Sequence, residues 1–328
     1  MVRFGVVGTS WITDAFIKAA SLNKDFKLNA VYSRTKERAK SFSEKYGVTN
    51  IFTDLEKMAR SPEIDAVYIA SPNSLHSEQS ILFLNNRKHV LCEKPLASNS
   101  REVINMIKAA KENKVVLMEA MKTTFLPNFI VIKHNLHKIG KIRRAVVSYC
   151  QYSSRYDSFK QGKLSNIFNP QFSAGSLMDI GVYCVYPVLY LFGEPKEIIA
   201  SCLLLDSGVD GQGTVCLKYD DMEAVIIHSK ITDSAMPSEF QGEQGSIVLN
   251  RIYIPKKAAI YYRNGTVEDI SQYQRNEEMY YEVNEFINLI KNGKEQSDVN
   301  SHNLSLSVMK VLDEARRQMG VVFPADSV

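Results

Sequence analysis

Apolar runs and amphipathic helical stretches alternate along the first 120 residues. The chain begins with an apolar run at Val2–Val7, and Trp11–Leu22 then carries apolar residues at helical spacing. The alternation continues, with strands predicted at 27–32, 65–70, 89–92 and 115–118, and helices at 35–47, 74–86 and 98–113. Apolar strands separated by helices are typical of a parallel sheet covered on both faces. Residues 1–120 are therefore predicted to form an α/β domain.

Polar residues mark where two of the early helices begin. Thr35 is placed to cap a helix that stops at Gly47, because glycine commonly terminates helices. Thr53 and Glu56 have the spacing of a capping box, in which each side chain bonds the other residue's backbone N–H. This spacing predicts a short helix that begins after Thr53.

The pattern changes after residue 120, where strands follow one another with short turns between them. Lys141–Gln151 alternates between apolar and polar residues, as a strand with one solvated face does. Further strands are predicted at 197–205, 213–218, 222–231, 246–250 and 258–262, and helices at 176–192, 277–291 and 301–319. Consecutive strands favour an antiparallel or mixed sheet. Residues 121–328 are predicted to form a second, α+β domain with a large, open, mostly antiparallel sheet, and its C-terminal helix has the option of packing back on the first domain.

Composition and charge exclude several kinds of partner. Hydrophobic residues make up 45% of the 328 residues and charged residues 23%, which is ordinary for a globular protein. The net charge is only +4, and the tightest basic group, Lys141–Arg144, opens a predicted strand. These features argue against nucleic acid or an anionic membrane as the main partner.

The cysteines and the N-terminus indicate a compartment. The chain has an odd number of widely spaced cysteines, at Cys92, Cys150, Cys184, Cys202 and Cys216. This usage is typical of buried thiols in a reducing compartment. The first strand begins after a single charge, without the pattern of a secretory signal, and we expect no apolar run long enough to span a bilayer. The sequence therefore predicts a cytoplasmic protein.

The stretch FGVVGTSWITDAF (4–16) has most features of a phosphate-binding turn between a strand and a helix. Gly8 permits the tight turn, whereas Ser10 and Thr13 stand where glycine or another small residue is usual. The Ser10 hydroxyl can cap the helix or donate to a phosphate. The β-branched Thr13 is expected to push the helix slightly outward. Taken alone, the turn does not separate a dinucleotide site from an ordinary connection. The helix N-terminus nevertheless offers N–H groups to a pyrophosphate, so we select as candidates Gly8, Thr9, Ser10, Trp11 and Ile12.

The end of the second strand favours NADP over NAD. NAD-preferring proteins usually place an acidic residue there, which hydrogen-bonds the ribose 2′-hydroxyl. This chain has Ser33 and Arg34 instead, and no acidic residue lies between the end of the strand and Glu37. Arg34 would pair with a 2′-phosphate and Ser33 would hydrogen-bond it, although an arginine in a solvated loop is the simpler interpretation of Arg34 alone.

Two further stretches carry candidate chemistry. Lys94 follows a predicted parallel strand, at the sheet edge where open α/β sheets bind ligands, and an ammonium there can hydrogen-bond a substrate oxygen. Asp179 and Tyr183 are four residues apart in a predicted helix, so both project from one face. A phenol close to an ammonium is a reasonable proton donor or acceptor. For Tyr183 alone, a buried core tyrosine is the simpler alternative.

Together these stretches resemble the glucose-fructose oxidoreductase / inositol 2-dehydrogenase (Gfo/Idh/MocA) family over essentially the full length of the chain. The resemblance lies in five motifs: the Gly8 turn, Ala70-Ser71-Pro72-Asn73 with His76, Glu93-Lys94-Pro95, Ala174-Gly175 leading to Asp179-Ile180-Gly181-Val182-Tyr183, and Gly242-Glu243-Gln244-Gly245-Ser246-Ile247. The glutamate-lysine-proline motif and the Asp-x-Gly-x-Tyr motif at this separation are together quite specific.

The resemblance implies a Rossmann domain and an open-sheet domain with NAD(P) bound between them. In that family the residues matching Lys94 and Tyr183 handle the substrate proton, and the one matching Asp179 orients substrate. The segment matching Ser71, Pro72, Asn73 and His76 lies along the nicotinamide, and the position of Glu93 lies near its ribose. Relatives usually self-associate through the second-domain sheet, which implies a homodimer or homotetramer.

Three departures from the family pattern leave the substrate open. Lys122 and Thr124 stand where relatives often have Trp and Arg, and Asn166 stands where Arg is frequent. The leading hypothesis is an NADP-dependent dehydrogenase or reductase of a sugar, polyol or related carbonyl compound, with NAD as a possible cofactor. The alternatives are a non-catalytic NAD(P) sensor and an enzyme that uses permanently bound NAD for transient oxidation.

We expect no metal site. His134 and His137 are three apart in a helical stretch, but no carboxylate or thiol nearby completes a ligand set.

Overall fold

The computed structural model describes residues 1–327; residue 328, the end of the predicted second domain, lies outside the described residues. The first part of the chain forms β1 (Val2–Val7), α1 (Trp11–Ala20), β2 (Phe26–Tyr32), α2 (Lys36–Tyr46), β3 (Asn50–Phe52), α3 (Leu55–Ala59), β4 (Ala66–Ile69), α4 (His76–Asn85), β5 (His89–Glu93), α5 (Ser100–Asn113) and β6 (Leu117–Ala120). The remainder forms α6 (Pro127–Asn135), β7 (Ile142–Cys150), α7 (Tyr156–Lys160), α8 (Val182–Phe192), β8 (Glu197–Leu204), β9 (Asp210–Lys218), β10 (Glu223–Ser229), β11 (Ser238–Gly242), β12 (Gly245–Leu249), β13 (Ala258–Tyr262), β14 (Val267–Asp269), α9 (Tyr280–Lys291) and α10 (His302–Met319).

The chain divides into two units whose boundaries do not follow the sequence in a single cut. Residues 1–122 and 275–306 form the first unit, and residues 123–274 with the chain from 307 onward form the second. Helix α10 therefore begins in the first unit and ends in the second. The segment 275–306 joins the first unit because α9 packs on α1 there, with the rings of Phe286 and Phe4 centred 5.8 Å apart.

The first unit is built on a six-stranded sheet in the order β3-β2-β1-β4-β5-β6, and every pairing is parallel. Strands β4, β5 and β6 are buried on both faces, which explains their mostly apolar sequences. The predicted α/β domain with a parallel sheet is confirmed. Because the strands are parallel, the residues that follow β1, β4, β5 and β6 lie along one edge of the sheet.

The second unit is built on an eight-stranded sheet in the order β14-β13-β12-β11-β7-β10-β9-β8. Strands β7 and β10 pair in parallel and the other pairings are antiparallel. The prediction of a large, mostly antiparallel sheet is confirmed. A π-helical turn at Leu177–Gly181 leads directly into α8, and both pack against β7 and β10.

Secondary structure agrees closely with the patterns in the sequence. Every predicted strand and long helix is present with bounds within three residues, although the predicted helix 176–192 opens with the π-helical turn. The capping box at Thr53 is wrong: Asp54 is the N-cap of α3, and its carboxylate accepts the N–H of Lys57 at 3.1 Å. Aspartate caps at least as well as threonine and stands one residue later, so the helix begins one residue later as well.

The expectation that no apolar run is long enough to cross a membrane is also wrong. Pro170–Phe192 reaches the necessary length and hydropathy, with a mean hydropathy of 1.4. However, 72% of this apolar window is buried inside the protein, as in a core helix. Its apolar character is explained by packing of the π-helical turn and α8 against the second sheet.

Candidate functional site

The turn after β1 requires a glycine at position 8. Gly8 has φ of +105°, a conformation that other residues rarely adopt. A Cβ atom at this position would stand 2.6 Å from the carbonyl oxygen of Ala70, which follows the neighbouring strand β4. The turn therefore approaches the β4 end more closely than any side chain would permit, and it leaves a narrow cradle at the edge of the sheet.

Thr13 is part of the contact between the turn and α1. Its side chain is fully buried, and its hydroxyl donates to the carbonyl oxygen of Gly8 at 3.1 Å. A glycine in this place leaves room for close packing, whereas this threonine fills the space and bonds the turn to the helix. Ser10 is the N-cap residue of α1, but its hydroxyl makes no capping hydrogen bond.

The N-terminus of α1 fits a phosphate group. The first N–H groups of a helix have no partners within it, and the helix dipole favours an anion there. Gly8, Thr9 and Ile12 are half-buried and Ser10 is exposed, so the turn is open to a ligand. Trp11, the only tryptophan of the chain, is 76% exposed as the first residue of α1. The cradle without a Cβ and the N–H groups of the helix N-terminus together suit the pyrophosphate of a dinucleotide.

The end of β2 presents one small and one cationic side chain. Ser33 is buried, and its N–H donates to the carbonyl oxygen of Phe52 in β3 at 3.2 Å. Arg34 is exposed, and Thr35 caps α2 by accepting the N–H of Arg38. No carboxylate lies between the end of β2 and Glu37 in the sequence, so this strand end is electrostatically suited to a phosphate.

His76 connects two of the predicted cofactor-lining segments. Its Nδ1 lies 2.9 Å from the carbonyl oxygen of Pro95, and its Nε2 lies 2.9 Å from that of Ser71. The ring is buried, and burial lowers the pKa of His76, while the two carbonyl contacts oppose that shift. The segment after β4 and the Lys94-Pro95 segment after β5 are thereby held together, and Ser71, Pro72, Asn73 and Lys94 are all half-buried beside it.

Glu93, the last residue of β5, is buried in a polar network. Its Oε1 accepts the hydroxyl of Tyr68 at 2.5 Å, and the Tyr68 ring stacks on Phe16 of α1 at 3.8 Å. Burial raises the pKa of Glu93, although Lys94 and Tyr68 oppose the shift. Tyr68 therefore links the predicted ribose-side carboxylate to the helix that follows the phosphate-binding turn.

Two further buried carboxyl groups of the first unit were not found from the sequence. Glu119, in β6, accepts the N–H of Leu96 at 3.1 Å, and burial raises its pKa to about 7. Glu282, in α9, is fully buried and has no hydrogen-bond partner among residues 1–327, and burial and the nearby Glu93 raise its pKa well above the usual value. Both side chains are therefore held as neutral acids more readily than ordinary glutamates.

Strands β9 and β10 anchor the start of the π-helical turn. The carboxylate of Asp210 accepts the N–H of Leu177 at 2.6 Å, and His228 Nδ1 lies 2.9 Å from the Ser176 hydroxyl. Gly175 has φ of +127°, and a Cβ there would clash with the Asp210 carboxylate. Burial raises the pKa of Asp210 to about 7 and lowers that of His228 to about 3. The segment that carries Asp179 and Tyr183 is thus fixed by buried polar groups.

Tyr183 lies in a cluster of three tyrosines. The rings of Tyr149 and Tyr253 stack at 3.7 Å, and Tyr183 meets them edge-on at 5.8 and 6.3 Å. Burial raises the pKa of Tyr149, and the neighbouring Tyr253 and Asp179 raise it further. Tyr149 and Tyr253 also line a cavity of about 450 Å³, together with Arg251 and Asp233.

Asp179 forms an ion pair with Lys230, which follows β10 directly. The Lys230 side chain is 10% exposed and the Asp179 side chain 31% exposed. The sequence does not identify Lys230 as a site residue. Asp179 is 51 positions away, so no local motif contains both residues.

The structure groups the predicted residues by unit. The candidate cofactor residues and Lys94 belong to the first unit, where the Gly8 turn, Ser71 and Lys94 all follow parallel strands at one sheet edge. Asp179 and Tyr183 belong to the second unit and flank Tyr149. Lys122, one of the departures from the family pattern, pairs with Glu278 at 3.9 Å within the first unit.

Comparison with known proteins gives two family models that match this chain. An oxidoreductase family with an NAD-binding Rossmann fold, Gfo/Idh/MocA, matches residues 2–121, and the C-terminal domain model of the same family matches residues 135–248. The chain is 56% identical, over 99% of both chains, to a scyllo-inositol 2-dehydrogenase (NADP⁺) of Bacillus subtilis. It is 30% identical, over 99% of both chains, to a trans-1,2-dihydrobenzene-1,2-diol dehydrogenase of Danio rerio.

A solved structure has the same fold. A 3-ketoreductase from Actinomadura kijaniata, in complex with NADP and TDP-benzene, superposes with a TM-score of 0.86 at 23% identity. The match covers 98% of this chain and 99% of the ketoreductase.

Proposed function

Because this chain belongs to the Gfo/Idh/MocA family of oxidoreductases, we propose that it is a dehydrogenase of cyclic polyols. It is an NADP-dependent oxidoreductase that transfers hydride between nicotinamide and a sugar, polyol or related hydroxy or carbonyl compound. The observation that carries this assignment is the 56% identity to an NADP-dependent inositol dehydrogenase over nearly the whole of both chains. The leading hypothesis from the sequence agrees with it in both reaction type and cofactor.

The substrate class follows from what the named relatives have in common. Scyllo-inositol and trans-1,2-dihydrobenzene-1,2-diol both carry hydroxyl groups on adjacent carbons of a six-membered ring. We infer that this chain acts on a cyclic compound with adjacent hydroxyl groups, which becomes a hydroxyketone on oxidation. The cluster of Tyr149, Tyr183 and Tyr253 supports this inference, because aromatic faces suit the C–H faces of such rings.

NADP, when bound, supplies or accepts the hydride. The turn from Gly8 to Ile12 would hold its pyrophosphate, since the helix N-terminus provides donors and Gly8 permits close approach. Ser33 and Arg34 would hold the 2′-phosphate. The segment Ser71–His76, with Glu93, would line the nicotinamide side, where His76 fixes the backbone.

Three side chains are assigned to the substrate. Tyr183 takes the hydroxyl proton during oxidation and returns it during reduction. Lys94 binds the reacting oxygen of the substrate. Asp179 binds a hydroxyl group of the substrate and so orients the ring.

Self-association and a cytoplasmic location complete the proposal. On the outer face of β8, Ile199 and Leu203 are 45% and 49% exposed, which supports a homodimer or homotetramer formed through this face. Among the described residues the five cysteines form no disulfide bond, which supports a reducing compartment. Light scattering of Leu203→Lys tests the first point, since a monomer is expected if this face is the interface.

Trp11 fluorescence and turnover together test the function. We expect saturable quenching of Trp11 by NADPH, with weaker binding of NADH, and oxidation of scyllo-inositol with NADP⁺. Tyr183→Phe and Lys94→Ala are expected to lower kcat by at least about 100-fold, whereas Tyr261→Phe, an exposed tyrosine in β13, is the matched control.

Each result has a distinct meaning. Wild-type turnover in both variants would overturn the assigned mechanism. Tight NADPH binding without turnover of any polyol would favour a sensor, and absence of binding would exclude the enzyme altogether.

A further inference from the structure

Lys230 has a rigid main chain and a side chain that points toward the candidate substrate residues. Its N–H donates to the carbonyl oxygen of Gly211 at 2.8 Å, and its carbonyl accepts the N–H of Ser153 at 2.9 Å. Alternation along β10 places residue 230 on the same sheet face as Ile226 and His228, the face that the π-helical turn covers. The sheet therefore fixes the main chain of Lys230 and the face on which its side chain lies, and the ion pair with Asp179 holds its ammonium group.

The ion pair between Lys230 and Asp179 is not explained by stability alone. Burying two charges costs about as much free energy as their attraction returns, and apolar residues of similar size usually stabilise a core as well or better. The Asp179 side chain also retains 31% exposure, so its carboxylate is accessible to a ligand as well as to Lys230. A charged pair that lies at the end of β10 and is partly exposed suits recognition of a polar group.

The chemistry of the pair matches one group in particular. A hydroxyl both donates and accepts, so it can donate to the Asp179 carboxylate while it accepts from the Lys230 ammonium. A carbonyl oxygen only accepts, and a methylene group does neither. Asp179 contributes to the high pKa of Tyr149, whose ring also meets that of Tyr183, so the pair stands beside the assigned proton-transfer residue.

We propose that Lys230 acts with Asp179 as a donor–acceptor pair that selects substrates carrying a hydroxyl group next to the reacting carbon. This proposal rests on the proposed function, and it adds a specificity residue in the second unit. Lys230 would bind the neighbouring hydroxyl, while the hydroxyl that loses its proton interacts with Tyr183. Hydrogen bonds to charged groups are strong enough to give a preference of about 10- to 100-fold.

Two substrates that differ by one hydroxyl group test the proposal. With the full chain and NADP⁺, kcat/KM is measured for trans-1,2-cyclohexanediol and for cyclohexanol. Lys230→Met is expected to lower the value for the diol by about 10- to 100-fold more than the value for cyclohexanol. Lys230→Arg keeps the charge and is expected to keep part of the preference.

A matched control separates recognition from a structural role. Lys138 forms a more exposed ion pair with Glu268 at 2.6 Å in the same unit, so Lys138→Met removes a lysine–carboxylate pair that does not involve Asp179. This control is expected to leave the ratio of the two kcat/KM values unchanged. If Lys230→Met leaves the ratio of the two kcat/KM values unchanged, whether or not both values fall, the assignment of Lys230 is overturned.

A binding measurement distinguishes failure of this proposal from failure of the proposed function. Calorimetry with scyllo-inositol and NADPH-saturated protein reports polyol affinity without turnover, because the reduced cofactor accepts no hydride. Affinity is expected to fall about 10- to 100-fold in Lys230→Met and to persist in Lys138→Met. Wild-type protein that binds and oxidises no polyol would defeat the proposed function, and this inference with it. If the wild-type protein is active, but Lys230→Met keeps the wild-type affinity for scyllo-inositol and the preference for the diol, only this inference is defeated.

Discussion

The hydroxyl of Thr13 donates to the carbonyl oxygen of Gly8 and closes the turn between β1 and α1 from inside the core. Thr13→Val retains the shape but leaves that carbonyl without its partner. We expect a loss of about 1 kcal/mol in the free energy of unfolding, together with weaker NADPH binding. Urea unfolding and Trp11 fluorescence titration measure the two effects. Unchanged values for both would mean that the bond does not hold the turn.

Gly8→Ala is expected to abolish high-affinity NADPH binding. The new Cβ would meet the Ala70 carbonyl at 2.6 Å, and φ of +105° strains any residue other than glycine. Gly47→Ala is the control, because Gly47 also has positive φ but has nothing within 4 Å of an added Cβ. Fluorescence titration should show lost affinity only in Gly8→Ala, while thermal unfolding shows a smaller destabilisation in Gly47→Ala. Wild-type affinity in Gly8→Ala would contradict the assigned phosphate site.

Arg34→Ala is expected to change cofactor preference. Loss of a charge-assisted hydrogen bond to the 2′-phosphate should weaken NADPH binding by about 10- to 100-fold and leave NADH binding nearly unchanged. Arg60→Ala, which removes an exposed arginine paired with Glu56 in α3, is the control. Equal weakening of NADPH and NADH by Arg34→Ala would show that Arg34 does not recognise the phosphate.

Asp210 is expected to act on catalysis without touching the substrate. Asp210→Ala frees the N–H of Leu177, which the carboxylate accepts at 2.6 Å, and should lower kcat while cofactor affinity persists. Asp210→Asn keeps an acceptor oxygen and should recover part of kcat. Asp221→Ala, an exposed residue paired with Lys141, is the control. A fall in kcat that Asp210→Asn does not recover at all would argue against positioning through this hydrogen bond.

Glu119 should make the protein less stable as the pH rises. Burial raises its pKa to about 7 in the folded state, whereas the unfolded group titrates near 4.5, the usual pKa of a glutamate. The folded state therefore binds more protons between these values, and the free energy of unfolding falls by up to roughly 3 kcal/mol as the pH rises through them. Glu119→Gln should lack this fall. Urea unfolding at pH 5, 6, 7 and 8 measures the difference.

Asp65→Asn provides a control of opposite sign. Hydrogen bonding to Arg3 lowers the pKa of Asp65, so its stabilisation is complete above the unfolded value and is lost only in acid. The difference between wild type and Asp65→Asn should therefore stay constant from pH 5 to 8. A constant difference for Glu119→Gln as well would contradict the raised pKa.

The parallel sheet could be predicted from the sequence because its central strands β1, β4, β5 and β6 are largely buried and therefore mostly apolar. Strand β11 could not, since Ser238–Gly242 is mostly polar and is held by pairing with β7 and β12. Strands β3 and β14 are only three residues long and lie at sheet edges, so they carry too little pattern to recognise.

The candidate site divides in the same way. Gly8, Lys94 and the Asp179–Tyr183 pair stand in local motifs that a sequence displays directly. Asp210 contacts Leu177, 33 positions away, and Lys230 contacts Asp179, 51 positions away. No local sequence pattern predicts contacts over such separations. For Thr13, the residue type was visible, but the direction of its hydroxyl depends on the backbone of the turn.

Helix α9 has a consequence for the order in which the protein matures. The face of α1 and Phe4 that α9 covers is synthesised first, while α9 itself emerges only after residues 123–274 of the second unit. A nascent chain that has reached residue 122 thus exposes apolar surface for the time needed to translate more than 150 further residues. Completion of the nucleotide-binding core must wait for nearly the whole polypeptide to leave the ribosome.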